Sequence, residues 1–280
     1  MNFGQEDVAF LLALRNQACV PVPEDWQAWY LKGQAEPLGL MPPGRAQLLA
    51  RGLPPNAPLT CREQGWLWHA DHLTEVERSE ILQALSHELS LQGVLTGWRN
   101  EMHACWGSSQ ADWPYSSPVL LRLERAAFRF WGLRSHAAHV HGMTSDGRMW
   151  CGRRATNKAT DPGMLDNLAA GGLPADEDPW VCAAREIHEE AGLHRQVHQL
   201  QPCKTLLVTE RPEKEGWHSE RLFVYTTQVA DHELPVNQDG EVSEFLCLSV
   251  AEVMQRLRLG EFTADAACAI AVFWLSQAGR

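Results

Sequence analysis

Three glutamates, Glu186, Glu189 and Glu190, stand at i, i+3 and i+4 in a run of good helix formers. A helix there projects their carboxylates from one face, within reach of one another. Like charges gathered so closely repel, and a hard divalent cation relieves the repulsion. Oxygen ligands of this kind suit magnesium or manganese, which keep several waters and bind carboxylates together with substrate phosphates. The reaction implied is attack of a metal-activated water on a phosphorus of a diphosphate, with the metal neutralising charge on the leaving phosphate. Taken alone, an acidic helix face is more often just solvated, so the surrounding residues decide.

Those residues define the element. The sequence predicts a short helix over 179–191: Pro179 suits a first turn, Asp176 or Asp178 can cap the start, and Gly192 suits the stop. Val181, Ala183, Ala184, Ile187 and Leu193 give it an apolar face to dock on a sheet. The spacing is Gly171, five residues, Glu177, seven residues, Arg185-Glu186-Ile187, one residue, Glu189-Glu190, one residue, Gly192-Leu193. Every fixed position of the Nudix box is filled, and the chain resembles the Nudix hydrolase superfamily. The resemblance implies that Glu186, Glu189 and Glu190 are metal ligands and that the backbone carbonyl of Gly172 is a further one. It also implies that Glu177 and Arg185 form a structural ion pair bracing the loop against the helix. The general base is a box glutamate or an acid from a later loop; Glu241 and Glu244 are the loop candidates, and Glu241, in the turn before a strand, is preferred.

The frame around this motif is a globular chain of 280 residues, long enough for two domains or one elaborated one. A formal net charge of −11 argues against a nucleic-acid or membrane-surface protein, since both partners are polyanionic. Any anionic substrate must therefore be held by local cations and metal. The eight cysteines show no paired spacing, which fits reduced thiols and a cytoplasmic protein. No apolar stretch approaches membrane-spanning length, and a homodimer is left open.

Residues 1–125 read as a smaller α+β domain. Its clearest helix starts at Thr74, where Thr74 and Glu77 have capping-box spacing, and carries Ile81, Leu82, Leu85 and Leu89 to a stop at Gly93. Residues 126–280 alternate short strands with two helical segments. Strands are expected at 137–143, 149–153, 205–209, 221–229 and 244–248, and a nearly all-apolar last helix begins near Thr263. The fold class is α/β: a Nudix α/β/α sandwich with a mixed sheet, preceded by the smaller α+β domain.

The runs RSHAAHVHGM and MWCGRRATNKATDPGMLDNLAAGG, with NQDGEVSEFLCLSVAEV and FTADAACAIAVFWL after the box, resemble a Nudix subgroup related to the Nudix half of fungal thiamine pyrophosphokinase fusions. The WRNE run at 98–101 is also an element of that subgroup. This resemblance implies hydrolysis of thiamine diphosphate, or its oxidised forms, to the monophosphate and phosphate. The candidate substrate contacts are Arg154 and Lys158 for phosphate, Asp166 and Asn167 for a heterocycle, and Trp150, with Trp217, for stacking. His136, His139 and His141 do not form a zinc site, because only the last two share a strand face and no cysteine joins them at the required spacing. Three other functions compete: a Nudix hydrolase of a nucleoside diphosphate derivative, an isopentenyl-type diphosphate isomerase, and a ligand-sensing module without turnover. The isomerase wants a catalytic cysteine and clustered histidines not evident here, and the sensing class is marked by degenerate boxes, whereas this one is intact.

Overall fold

The computed structural model describes residues 3–107, 118–158, 160–203 and 205–279. The chain opens with α1 (Gln5–Asn16), β1 (Gln27–Leu31), β2 (Gly39–Met41), α2 (Arg45–Gly52), β3 (Leu59–Arg62), β4 (Gly65–Trp68), α3 (Glu75–Leu91), β5 (Met102–Trp106), β6 (Val119–Glu124) and α4 (Arg125–Trp131). Four of these strands form one sheet in the order β2-β1-β4-β3, and β5 pairs with β6. The cap expected for α3 is present: Thr74 Oγ1 accepts from the Glu77 N–H and the Glu77 carboxylate accepts from the Thr74 N–H at 2.7 Å. Trp29, Trp68 and Trp131 fill the core beneath, and each indole N–H donates to a protein oxygen, so their burial leaves no donor stranded.

The second part contains β7 (Arg134–Met143), β8 (Met149–Arg154), β9 (Leu165–Asp166), β10 (Ala169–Gly172), α5 (Pro179–Ala191), β11 (Gln201–Pro202), β12 (Leu207–Glu213), β13 (Gly216–Gln228), β14 (Val242–Leu248), α6 (Val250–Arg258) and α7 (Ala264–Gln277). These strands form one sheet through β11-β13-β7-β8-β14, with β10 on β7, β12 on β13 and β9 on β8. The β13–β7 pair is parallel and the others are antiparallel, so the sheet is mixed. Strand alternation sends Ala138 and Val140 of β7 to the face covered by α5, and Ala137 to the face covered by α7. The five expected strands appear with edges moved by a few residues; the one expected at 205–209 runs instead over Leu207–Glu213.

Packing divides the chain differently from the boundary at residue 125 expected from composition. Helix α1 packs on α7 in one apolar cluster through Val8, Leu11, Ile270 and Trp274. The chain then returns along β12, where Val20 N–H donates to the Glu210 carbonyl. Conversely, Ala127, Phe128, Phe130 and Trp131 of α4 complete the core of Trp29 and Trp68. Residues from Trp29 to Leu133 thus share one core, which we call the N-terminal unit. Within it, α4 and β2 meet at a close backbone approach. Gly132, at φ +68, ends α4, and a Cβ there would lie 1.9 Å from the Leu40 carbonyl oxygen. Gly132→Ala therefore combines left-handed strain with a backbone clash and is expected to cost about 2–4 kcal/mol, read as a lower urea midpoint; an unshifted midpoint would show that this junction yields.

Candidate active site

Helix α5 is built as its sequence dictates. The Asp178 side chain accepts from the Trp180 N–H at 2.8 Å, and Gly192 closes the C-terminus at φ +67. Cys182, Ala183, Ile187 and Ala191 bury against Ala138, Val140, Phe223 and Tyr225 of the sheet. Val181, expected on that face, is exposed instead. The docking turns Glu186 and Glu190 onto β10. The Glu190 carboxylate accepts from the Ala170 N–H at 3.0 Å. Glu186 lies over Gly171 so closely that a Cβ there would sit 2.0 Å from its carboxyl carbon. Only glycine leaves room for that carboxylate.

Both glutamates are 9% exposed, whereas Glu189 stays at the solvent rim. Burial pushes Glu186 up to about 7, against the opposing pull of Arg185, and raises Glu190 well above the carboxylate range. Arg185 is the hub. Its Nε and Nη2 grip both oxygens of Glu177 at 2.8 and 2.7 Å, and its Nη1 reaches Glu186 at 2.6 Å and Glu189 at 2.8 Å. The expected Glu177–Arg185 pair thus extends to two of the three candidate ligands. The Cys182 thiol beside it is pushed up by burial and is no nucleophile at neutral pH.

Across from α5, carboxylate oxygens of Glu190, Asp239 and Glu241 lie within 4.8 Å of one another. The loop before β14 therefore brings Glu241 to the helix carboxylates. Glu244 is elsewhere, tied to Arg153 at 2.5 Å along the β8–β14 pair. Asp239 was missed by sequence reasoning, although it opens the Asp239-Gly240-Glu241 turn; its side chain accepts from the Glu241 N–H at 2.8 Å. Gly172 lies one residue past the contact point: its carbonyl accepts the Cys182 thiol at 3.5 Å, while Ala170 and Gly171 adjoin the glutamates.

A cleft of about 790 Å³ runs beside this centre, lined by Arg154, Lys158, Asp166 and Ala170 to Gly172 on one side and by residues of the N-terminal unit on the other. Lys158 is ion-paired with Glu241, and Arg154 holds Asp166 at 3.1 Å. Asn167 is buried behind them: its Oδ1 faces His139 Nδ1 at 2.8 Å and its Nδ2 has no partner. Trp150 is absent from the cleft lining; it is half-buried on the α5 side of the sheet, because its place on β8 turns it to that face. Trp217 reaches the cleft but is 1% exposed, so no ring face is offered for stacking. His136 and His141 are packed as neutral rings against Phe223 and Phe273, with protonation disfavoured by burial.

A family model described as NUDIX domain matches residues 133–269. The chain is 30% identical to Nudix hydrolase 24, chloroplastic, of Arabidopsis thaliana, over 71% of this chain and 55% of that protein. It is 31% identical to Nudix hydrolase 20, chloroplastic, of the same plant, over 66% and 49%. The chain thus spans about half the length of these curated relatives. A solved structure from Deinococcus radiodurans aligns with a TM-score of 0.46 at 17% identity, covering 61% of this chain and 97% of that one. Nudix hydrolases use divalent metal ions, and Glu186, Glu190, Asp239 and Glu241, with Glu189 at the rim, are a hard-oxygen donor set that fits one.

The carboxylates make metal-free stability depend on pH. Below the ordinary carboxylate range Glu186 is protonated whether folded or not; as pH rises through its folded value of about 7, only the folded state resists ionisation, so stability is lost. The metal-free protein is expected to lose about 3 kcal/mol between about pH 5 and pH 8, and a divalent cation to remove most of that loss. Urea unfolding with chelator or with magnesium measures both; a flat metal-free profile would contradict the buried carboxylates.

Proposed function

We propose that this chain is a metal-dependent Nudix pyrophosphohydrolase that cleaves an organic diphosphate, using magnesium or manganese. The observation that carries the reading is the burial of Glu186 and Glu190 against the side-chain-free Gly171, facing Asp239 and Glu241. Glu190, Asp239 and Glu241 converge within 4.8 Å, with the buried Glu186 one helical turn from Glu190, and a divalent cation would relieve their repulsion. When bound, the metal supplies activation of water and neutralisation of charge on the leaving phosphate. The chain's own residues do the rest. Arg185 fixes Glu186 and Glu189 from behind. Glu241, at the junction of carboxylates and cleft, is the group that takes a proton from the attacking water, with Lys158 holding it in place.

The substrate class we favour is a nucleoside diphosphate derivative. The cleft is lined by charged side chains of both signs, and its aromatic residues, Phe128 and Trp217, are buried. Such a wall recognises hydroxyls and phosphates through hydrogen bonds and lacks a platform for stacking a bare heterocycle. Thiamine diphosphate and its oxidised forms are the second reading, resting on the subgroup resemblance alone.

A panel of nucleoside diphosphate sugars, dinucleotides and thiamine diphosphates, assayed with magnesium or manganese, tests the proposal through release of monophosphate products. Turnover of a nucleoside diphosphate derivative supports it, and binding without turnover of any member refutes it. Glu190→Gln is expected to lower kcat by about 10²–10⁴-fold while raising metal-free stability, because the amide can still accept from Ala170 and carries no buried charge. Near-normal turnover in that variant would remove Glu190 from the metal site.

A further inference from the structure

We propose that the N-terminal unit completes the substrate site, with Arg125 and Arg99 as cations that contact the substrate's diphosphate and Glu101 as the residue that positions Arg125. The inference rests on the hydrolase reading above and extends it to a unit outside the Nudix domain.

The first observation is a loop held more firmly than a connector needs. Residues 98–101, Trp-Arg-Asn-Glu, are clamped by the fully buried Glu124, whose two oxygens accept the N–H groups of Arg99 at 2.9 Å and Glu101 at 3.0 Å. Asn100 between them adopts φ +59, a left-handed conformation that asparagine tolerates better than most residues, and its Oδ1 accepts the Trp98 indole N–H at 3.0 Å. A buried carboxylate and this turn fix two side chains. Arg99 is exposed among the residues that line the cleft and has no ion pair among the described residues. Glu101 holds His103 Nε2 at 2.9 Å and Arg125 Nη1 at 3.0 Å.

The second observation is where Glu101 delivers these groups. A Cβ on Gly172 would lie 3.0 Å from His103 Cε1 and 3.5 Å from Arg125 Cζ. Both therefore rest against the glycine pair whose other side carries Glu186. Arg125 feels the charges of Glu101, Glu220 and Glu186, in that order. His103 is 1% exposed, lines the cleft, and its Nδ1 has no partner. A buried polar atom without a partner beside a cleft calls for a ligand group.

The third is charge. In a chain of net charge −11, a diphosphate must be held by local cations; the cleft lining offers Arg154, Lys158, Arg211 and Lys214 from the large sheet and its loops, and Arg99, Arg125 and Arg129 from the N-terminal unit. A guanidinium held at one nitrogen by Glu101 keeps its remaining donors for phosphate oxygens.

The experiment uses the full chain with magnesium, the substrate found most active in the panel, and non-hydrolysable imidodiphosphate with calcium as a binding probe. Arg125→Gln is expected to raise KM and weaken imidodiphosphate binding about tenfold or more, with KM changing more than kcat. Arg125→Lys should recover part of the loss, Arg99→Gln should raise KM by about threefold to fivefold, and Glu101→Gln should resemble a mild Arg125→Gln. Unchanged KM and probe affinity in folded Arg125→Gln and Arg99→Gln overturn the proposal; if Arg125→Gln does not fold, the exposed Arg99 decides alone. Should no diphosphate be hydrolysed while imidodiphosphate still binds through Arg99 and Arg125, the hydrolase reading fails and this one stands.

Discussion

Two carboxylates that cannot comfortably be charged organise this molecule. Glu186 and Glu190 sit nine-tenths buried on one helix, pressed onto a strand whose central residue has no side chain. Burial of an isolated carboxylate is strongly unfavourable, and burial of two in contact more so. The neighbours answer that cost. Arg185 spans Glu177, Glu186 and Glu189, the Ala170 N–H meets Glu190, and the loop before β14 brings Asp239 and Glu241 within 4.8 Å of Glu190. The site is held ready to bind at the expense of stability, a trade common where function needs groups that packing alone would reject.

The sheet supplies the precision. Strand β10 pairs with β7 from Ala169 to Gly172, so the register that sets Gly171 opposite Ala138 also fixes which residue lies beneath Glu186. A slip of one residue would present a methyl group to that carboxylate and turn the strand over. The small residues of α5, Cys182, Ala183 and Ala191, let the helix approach closely enough for its glutamates to reach the backbone. Helix packing, strand register and carboxylate position are one constraint seen from three sides.

Much of this was legible in the residues. The box spacing gave the helix, its ends and the cluster of glutamates, because these depend on local periodicity and capping. The sequence could not separate Glu189, left at the rim, from its buried neighbours, since that depends on how the helix is rotated against the sheet. Nor could it find Asp239, whose role arises from a loop folding back across some fifty residues of chain, a span set by Glu190 and Asp239 in the numbering. Trp150 illustrates the opposite error. On a strand, a one-residue choice of face decides between cleft and core, and composition does not reveal which face the cleft uses. Where α1 and α4 pack was not legible for a related reason: their apolar residues do not say which core they join, and only tertiary packing assigns them.

The pairing of charges around the cleft bears on how an anion is admitted at all. Arg154 is engaged by Asp166, Lys158 by Glu241 and Arg125 by Glu101. A diphosphate entering this wall meets cations already committed to carboxylates, so its oxygens must share or replace existing partners rather than fall into an open positive field. Such exchange gives modest net attraction, because each new contact is offset by one weakened. It gives good discrimination, because an anion of the wrong shape disrupts pairs without replacing them. Net positive charge must then come from the metal, which makes diphosphate affinity depend on the cation as much as on the arginines. In a chain of net charge −11, attraction for polyanions is thereby confined to local groups of cations such as those lining the cleft.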